Sequence, residues 1–481
     1  MILALIIVIP LLAAALSAVV KKRTRLLETF TVVSSLSVFV LSIAVAREVL
    51  TNQSYVLLQY LNVGALGAIL LLLISFIGLI ASLYSVGYLR AEMKKEIIGF
   101  SRVRQYYVLL NIFLATMLCA VSASNPIMTW IAVEATTLST AFLISFYGKP
   151  SSIEAAWKYL IINSVGLLLA FFGTLLFLSA SMSIAGDHSL ISWNDVLANA
   201  SSLNPVIAKI AFLFILVGYG TKMGLVPMHT WLPDAHGKAP VPISGLLSGV
   251  LLNIAFFAIL RFKVVVDKID PGFAQNLMIY FGLFSILLSA LMIYLQSSYK
   301  RLLAYSTIEH MGIVSLGIGF GGAGVFAAFL HMIYHSLAKP LLFLASGNIF
   351  LKYSSTKIAK IRGVAITLPI TGILFVIGIL AITGVPPFGI FLTEFSILAA
   401  GIKLHPVITV LALFSIALIF IGFLRHTSAM VFSKNEESLA VGESSKWNIL
   451  PLILLASVLI ILSVYLPGPL KTLITRATLV Y

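Results

Sequence analysis

The sequence predicts an all-α integral membrane protein of about 14 transmembrane helices, with two of them discontinuous and with two inverted five-helix repeats. Three observations carry that prediction. Hydrophobic residues fill 60% of the 481 positions while only 10% are charged, and the mean hydropathy is +1.10; a water-soluble domain of this size cannot cover its surface so sparsely. Apolar runs of roughly 18 residues or more recur from residue 1 to about residue 466, each long enough to cross a hydrocarbon core as a helix. Finally, two of the runs are interrupted by glycine and proline clusters, which removes backbone donors in the middle of a span. A transmembrane β-barrel is excluded, because the runs are continuous rather than alternating.

Taken in order, the spans are expected near 1–20, 28–46, 63–87, 105–122, 125–147, 153–181, 204–231, 240–262, 273–297, 301–320, 322–350, 365–398, 403–431 and 446–466. The first lacks a basic leader and a small-residue cleavage pattern, so it is expected to be a span and not a removed signal peptide. With this count, the loops on one side collect Lys21, Lys22, Arg23, Arg25, Arg90, Lys94, Lys95, Arg102, Arg104, Lys300, Arg301, Lys352, Lys357, Lys360 and Arg362. The positive-inside rule makes that side cytoplasmic and places both termini outside a cell membrane. The net charge of +15 is thus a record of topology; scattered over short loops, it forms no stripe for nucleic acid. The polar connections 186–204 and 433–446 are too short to fold alone, so function belongs to the helix bundle.

The interruptions are Gly224-Leu225-Val226-Pro227, continuing to Pro233, and Gly384-Val385-Pro386-Pro387, continuing to Gly389. They fall in spans seven and twelve, five apart, so spans four to eight (105–262) and nine to thirteen (273–431) are expected to be two copies of one unit, a chance echo of two Pro-kinked helices being the alternative. An odd number of spans per copy forces inverted topology, in which ion sites sit at broken helices. The remaining parts are an N-terminal three-helix segment, 1–104, and a final helix with a short tail, 446–481.

Charged groups inside a bilayer cost several kcal/mol each and are functional by default. Glu134 lies mid-span in Trp130-Ile131-Ala132-Val133-Glu134-Ala135-Thr136-Thr137, and Lys222 lies just before the first break. Each needs a partner, and the expected pairing is with each other. His331, His335 and Lys339 recur at spacings of four, hence on one helix face suited to proton hopping. Lys158, Glu309, His310 and Glu394 extend the set; His229, Asp234 and His236 follow the first break, where helix capping is an equal expectation. No metal site is expected: the His331/His335 spacing fits zinc, but no glutamate follows His331 to complete a protease motif. The single cysteine, Cys119, can hold no iron–sulfur cluster, so any electron transfer belongs to a partner chain and this chain is expected to carry no cofactor. With no nucleotide fingerprint and no nucleophile constellation, no catalytic turnover of its own is expected.

These motifs resemble the antiporter-like membrane subunits shared by respiratory complex I, multisubunit Na+/H+ antiporters of the Mrp type, and energy-converting membrane-bound [NiFe] hydrogenases. The resemblance covers nearly the whole chain. It rests on Lys222 with Val226-Pro227-Met228-His229-Thr230-Trp231-Leu232-Pro233-Asp234-Ala235-His236, on Lys300-Arg301-Leu302-Leu303-Ala304-Tyr305-Ser306-Thr307-Ile308-Glu309-His310, on residues 331–347 and on residues 384–394. It implies fourteen helices with two inverted five-helix repeats, as read above. It also implies that Glu134, Lys222, Lys339 and Glu394 match the family's charged positions in spans five, seven, eleven and twelve, with Lys158 and His310 at positions usually polar. Asn253 departs from the pattern, standing where many relatives carry a lysine or histidine between the two half-channels; asparagine holds water but carries no charge. Asn253, Glu309-His310 and Glu134-Ala135-Thr136-Thr137 look most like the hydrogenase branch, in particular formate-hydrogenlyase-type complexes. With about fifteen residues beyond the last span, the long lateral helix of the distal complex I subunit is not expected.

The function this implies is proton translocation in a redox-driven complex, with other membrane subunits and a soluble arm of iron–sulfur and [NiFe] subunits as partners. A Na+/H+ antiporter subunit and a structural membrane anchor are the alternatives.

Overall fold

The computed structural model describes residues 1–185, 192–434, 439–443 and 445–481. Within the two polar connections noted above, 186–191, 435–438 and 444 lie outside the described residues.

The chain opens with α1 (Ile2–Val19) and α2 (Thr24–Asn52), then a short hairpin of β1 (Tyr55–Leu57) and β2 (Leu61–Val63), then α3 (Ala65–Lys94). Next come α4 (Phe100–Ser122), α5 (Pro126–Ile144), α6 (Pro150–Ala185), the short α7 (Trp193–Ala198), α8 (Pro205–Met223), α9 (Trp231–Lys238), α10 (Val241–Leu246) and α11 (Leu252–Asp267). The rest is α12 (Pro271–Tyr294), α13 (Tyr299–Phe320), α14 (Ala323–Tyr353), the single turn α15 (Val364–Thr367), α16 (Pro369–Ile382), α17 (Gly389–Gly401), α18 (Pro406–Val431), α19 (Lys446–Val464) and α20 (Gly468–Val480). Among the described residues, 12 helices are long and apolar enough to cross a membrane. Helix α13 is equally long, 22 residues, but more polar, with Glu309 and His310 at its middle. Helices α16 and α17 are short because they are two halves of a broken one, so the structure agrees with the count read from hydropathy.

Several helix starts are written locally. Asn125 accepts from the Met128 amide at 2.7 Å ahead of Pro126, and Asn204 accepts from Val206 and Ile207 ahead of Pro205. A short polar cap followed by proline satisfies freed donors and pre-sets the first turn. The final segment departs from expectation: the short tail is a further helix, α20, with Leu473, Ile474 and Ala477 buried where it packs along α3 and α14.

Burial separates inner from outer helices. Residues 241–260 are all buried and Ala323–Tyr353 is nearly so, whereas only about a third of the most apolar part of Pro406–Val431 is. Close approach of inner helices depends on small residues, because lipid supplies no hydrophobic drive between helices. A Cβ at Gly218 would lie 2.5 Å from the Gly166 carbonyl oxygen, which sets the α6–α8 contact. Gly218→Val is therefore expected to lower stability by about 1–3 kcal/mol through overpacking, seen as earlier thermal unfolding in detergent. Gly99→Ala, where a Cβ meets nothing within 4 Å, should leave unfolding unchanged.

The loops sort onto two faces. On the basic one, Lys95 reaches the Leu351 carbonyl at 2.6 Å and the Ser297 carbonyl accepts from Ile358, joining three connections rich in lysine and arginine. On the opposite face, Ser124 bonds Tyr60, Trp193 bonds Ser124, and Arg261 donates to Ala123 at 2.8 Å. There Lys209 pairs with Asp270 at 2.6 Å, and hydrogen bonding from Lys209 holds the Asp270 carboxyl below its usual range.

Candidate functional site

Both interruptions are built alike. Helix α8 ends on Gly224, in the left-handed region at φ 83°, and Leu225 donates back to Gly220 at 2.9 Å. Helix α16 is followed by Gly384 at φ 64°, and Val385 donates back to Leu380 at 3.0 Å. Each is a glycine-closed helix end whose six-residue hydrogen bond recovers an orphan carbonyl. Past each break a serine from a neighbouring helix accepts a freed amide: Ser285 from Val226 and Ser463 from Gly389. Backbone opened at membrane depth is thus satisfied inside the protein, as it must be. Pro227, Pro386 and Pro387 occupy the breaks as expected, the Val226–Pro227 and Pro386–Pro387 bonds being cis.

Beside the first break, Lys222 is completely buried. Its ammonium donates to Thr137 Oγ1 at 2.8 Å and to the Tyr159 hydroxyl at 2.7 Å, and Tyr159 in turn contacts Thr140 Oγ1 at 2.5 Å. The Tyr159 ring packs edge-on against Trp231, whose indole N–H donates to the Thr221 carbonyl; α9 therefore folds back to lock the end of α8. Glu134 accepts from Ser164 at 2.9 Å, and its second carboxylate oxygen is buried without a partner. The expected direct pairing of Glu134 with Lys222 is corrected here. Among the described residues they form no ion pair, because hydroxyls from α5 and α6 occupy the lysine's bonding positions.

The second cluster surrounds α14. Lys339, fully buried, donates to the Leu303 carbonyl at 2.8 Å and to Ser306 Oγ. His310 Nδ1 and His331 Nε2 are 2.9 Å apart, and His331 Nδ1 meets Thr393 Oγ1 at 2.9 Å. The rings of His310 and His335 lie 5.2 Å apart, with both His335 nitrogens unpartnered. Glu394 folds against the second break: a Cβ on Gly384 would meet Glu394 Oε2 at 2.3 Å, so only glycine leaves room for that carboxylate. Glu309 is buried within electrostatic reach of Glu394 and Lys339.

Asn253 belongs to this second cluster. It donates to Ser336 Oγ on α14 at 2.8 Å and to the Gly249 carbonyl, while its own carbonyl oxygen is buried and unpartnered. The wide π-helical turn Leu247–Leu251 lets Gly249 press against Pro340, where a Cβ would stand 2.7 Å from Cγ. Ser248 bonds Thr307 at 2.7 Å, so α13, α14 and the middle of the Val241–Asp267 span are joined through polar side chains.

Three residues stand apart from the expectation. Lys158 is half exposed, paired with Glu154 at 2.7 Å and with Asp234 at 3.5 Å, Asp234 also holding Arg301 at 2.8 Å. It therefore lies at the basic face and not in the buried path. His229 is almost buried with Nδ1 unpartnered, and His236 is fully buried, stacked 4.9 Å from Phe343, with neither nitrogen partnered. Neither serves as a side-chain cap of α9, whose N-cap is Thr230 without a side-chain hydrogen bond. Sequence reasoning missed Tyr159, Ser164, Ser306, Ser336 and Thr393. The available signal was polar residues at helical spacing within apolar spans, as in Tyr159 and Asn163. It also passed over the Glu28–Arg90 pair at 2.5 Å and buried Glu92, which accepts from Tyr147 at 2.6 Å.

Residues 123–420 match the family described as NADH:quinone oxidoreductase/Mrp antiporter, TM. The chain belongs to that family. A relative described as a hydrogenase-4 component F homolog, from Methylacidiphilum infernorum (isolate V4), is 41% identical over 354 residues, covering 73% of this chain and 74% of that protein. Two solved structures show the same fold: a chain of the membrane-bound sulfane sulfur reductase, an archaeal respiratory membrane complex, with TM-score 0.88, 22% identity and 99% and 97% coverage of the two chains, and one of the Mrp complex from Dietzia sp. DQ12-45-1b, with TM-score 0.87, 18% identity and 100% and 97% coverage. Both broken helices and the two clusters lie within the matched residues.

Proposed function

We propose that this chain is the proton-translocating membrane subunit of a redox-driven complex of the membrane-bound, energy-converting hydrogenase kind. The observation that carries the reading is a pair of fully buried lysines, Lys222 and Lys339, each held by neutral hydrogen-bond acceptors in place of a carboxylate. An ammonium bonded only to hydroxyls and carbonyls has no fixed counter-charge, so its proton is sensitive to any charge brought near. Glu134, with one free oxygen, is the neighbour that supplies such a charge to Lys222. Two unit charges about 5–10 Å apart at an effective dielectric of about 20 interact by about 2–3 kcal/mol, more than a tenfold change in proton affinity.

In this reading, redox chemistry in a soluble arm of iron–sulfur and [NiFe] subunits moves charge near the Glu134–Lys222 cluster, and Lys339, the histidines and Glu394 relay the response. Residues 105–262 and 273–431 act as inverted five-helix units, the basic face is cytoplasmic, and both termini are outside. The Asn253 amide bridges toward Ser336 and passes a proton through water. The reading favours protons over sodium because the second cluster presents imidazole nitrogens and an ammonium, whereas a hard cation selects oxygen ligands.

The test is the intact complex purified through this chain, assayed for nickel, iron–sulfur clusters and H2 evolution, then reconstituted in vesicles with a pH-sensitive dye. Donor-dependent proton movement unaffected by Na+ is expected. A metal-free assembly catalysing Na+/H+ exchange without electron donor would replace this reading by the antiporter one.

A further inference from the structure

Within α14 alone, helical spacing singled out His331 and His335, a pair insufficient for a metal ion. The tertiary structure makes a different set: His310 from α13, His331 from α14 and Glu394 from α17 each offer a ligand atom within 4.8 Å of the others, and all three are buried. The hydrogen-bond chain favours one set of tautomers. Thr393 donates its hydroxyl hydrogen to the Ile390 carbonyl at 2.8 Å, so it accepts from His331 Nδ1. In the neutral ring, His331 Nε2 then carries the lone pair and accepts from His310 Nδ1. That leaves the lone pair of His310 on Nε2, which is buried and makes no side-chain hydrogen bond, with the Ile382 backbone beside the ring.

We propose that His310, His331 and Glu394 form a binding site for a divalent transition-metal ion of the Zn2+ class. Two imidazoles and one carboxylate with an open fourth position is a ligand set zinc takes, and bond lengths of about 2.0–2.2 Å separate tetrahedral ligand atoms by about 3.3 Å. The His310–His331 nitrogens, 2.9 Å apart, have only to part by a few tenths of an ångström while the Glu394 carboxylate moves inward. His331 already has its outer support, because a ligating imidazole characteristically donates its other N–H to an oxygen, and Thr393 is that oxygen. The hydrogen on His310 Nδ1 shifts to Nε2, where the Ile382 backbone lies beside the ring, freeing Nδ1 for the ion, so the histidine pair binds the ion without net loss of a proton. An ion seated there separates the two histidines and would interrupt any proton passage between them. The coordination itself does not depend on the chain translocating protons.

Co2+ titrated into the full-length chain in lipid nanodiscs tests the site, since tetrahedral Co2+ has intense visible bands. One equivalent of such bands, displaced by one equivalent of Zn2+, is expected. Glu394→Gln and His331→Gln should abolish them, Thr393→Val should weaken Co2+ binding roughly 10-fold or more through loss of the outer support, and His426→Gln, altering a partly exposed histidine outside the cluster, should change nothing. If His331→Gln fails to insert, Glu394→Gln and Thr393→Val still decide. Absence of tetrahedral bands in the unaltered chain, or their survival in Glu394→Gln, overturns the proposal. Because no transport is measured, a chain that binds the ion without pumping would refute the proton reading alone, and the reverse would refute the metal site alone.

Discussion

Lys222→Ala is expected to cut redox-driven proton transport by the reconstituted complex roughly tenfold or more, while the chain still inserts, assembles and melts no earlier than the unaltered protein. The two halves of that expectation come from one physical asymmetry. A buried ammonium is expensive to desolvate, and deleting one that has no carboxylate in direct contact relieves that cost; against this, the attraction of Glu134 is lost, and Thr137 and Tyr159 each lose one donor, at about 1 kcal/mol each because both are hydroxyls that retain other partners. Stability and transport should therefore separate. Ser164→Ala, which leaves Glu134 without its one hydrogen bond, should lower transport less. Dye-based acidification rates and thermal unfolding of the same samples provide the check, and full transport by Lys222→Ala would return the chain to the structural-anchor alternative.

Gly384→Ala should reduce transport about tenfold through a different route. At φ 64° an alanine is strained by about 1–2 kcal/mol, and its Cβ would occupy the space of Glu394 Oε2, forcing the carboxylate out of the cluster with Glu309 and His331. An interaction of about 2–3 kcal/mol lost from a charged neighbour corresponds to more than a tenfold change in proton affinity. Gly224→Ala is the matched comparison. Its backbone strain is similar at φ 83°, but the atom met is Leu232 Cδ1 at 2.6 Å, the end of a flexible apolar side chain. Both variants should unfold earlier by similar amounts, and only Gly384→Ala should lose most of its transport. Equal transport in the pair would remove Glu394 from the path.

Asn253 shows how much of the site was open to sequence reasoning. The resemblance implies a position between two half-channels, and its inability to carry charge is plain from the residue itself. That its amide reaches Ser336 on α14, beside a π-helical turn pressed on Pro340, did not follow, since the turn is a response to packing and has no local signature. Lys158 shows the opposite limit. Hydropathy averages over a whole span, so a lysine about two turns from the end of α6 looks buried in sequence, and only its bonds to Glu154 and Asp234 place it at the basic face.

The sequence by itself determined the bilayer as solvent, the number and order of the spans, the two interruptions and the identity of most buried titratable groups. These are local properties: continuous apolar length, loop charge, and proline or glycine where a helix loses its donors. The tertiary structure alone decided who touches whom. Lys222 meets Tyr159 and not Glu134, His310 meets His331 across two helices, and α20 lies down along α3 and α14. Partners on different helices depend on the relative rotation and depth of those helices, which side-chain packing at contacts such as Gly218 on Gly166 and Gly249 on Pro340 sets, and no periodicity along one strand of chain encodes that choice.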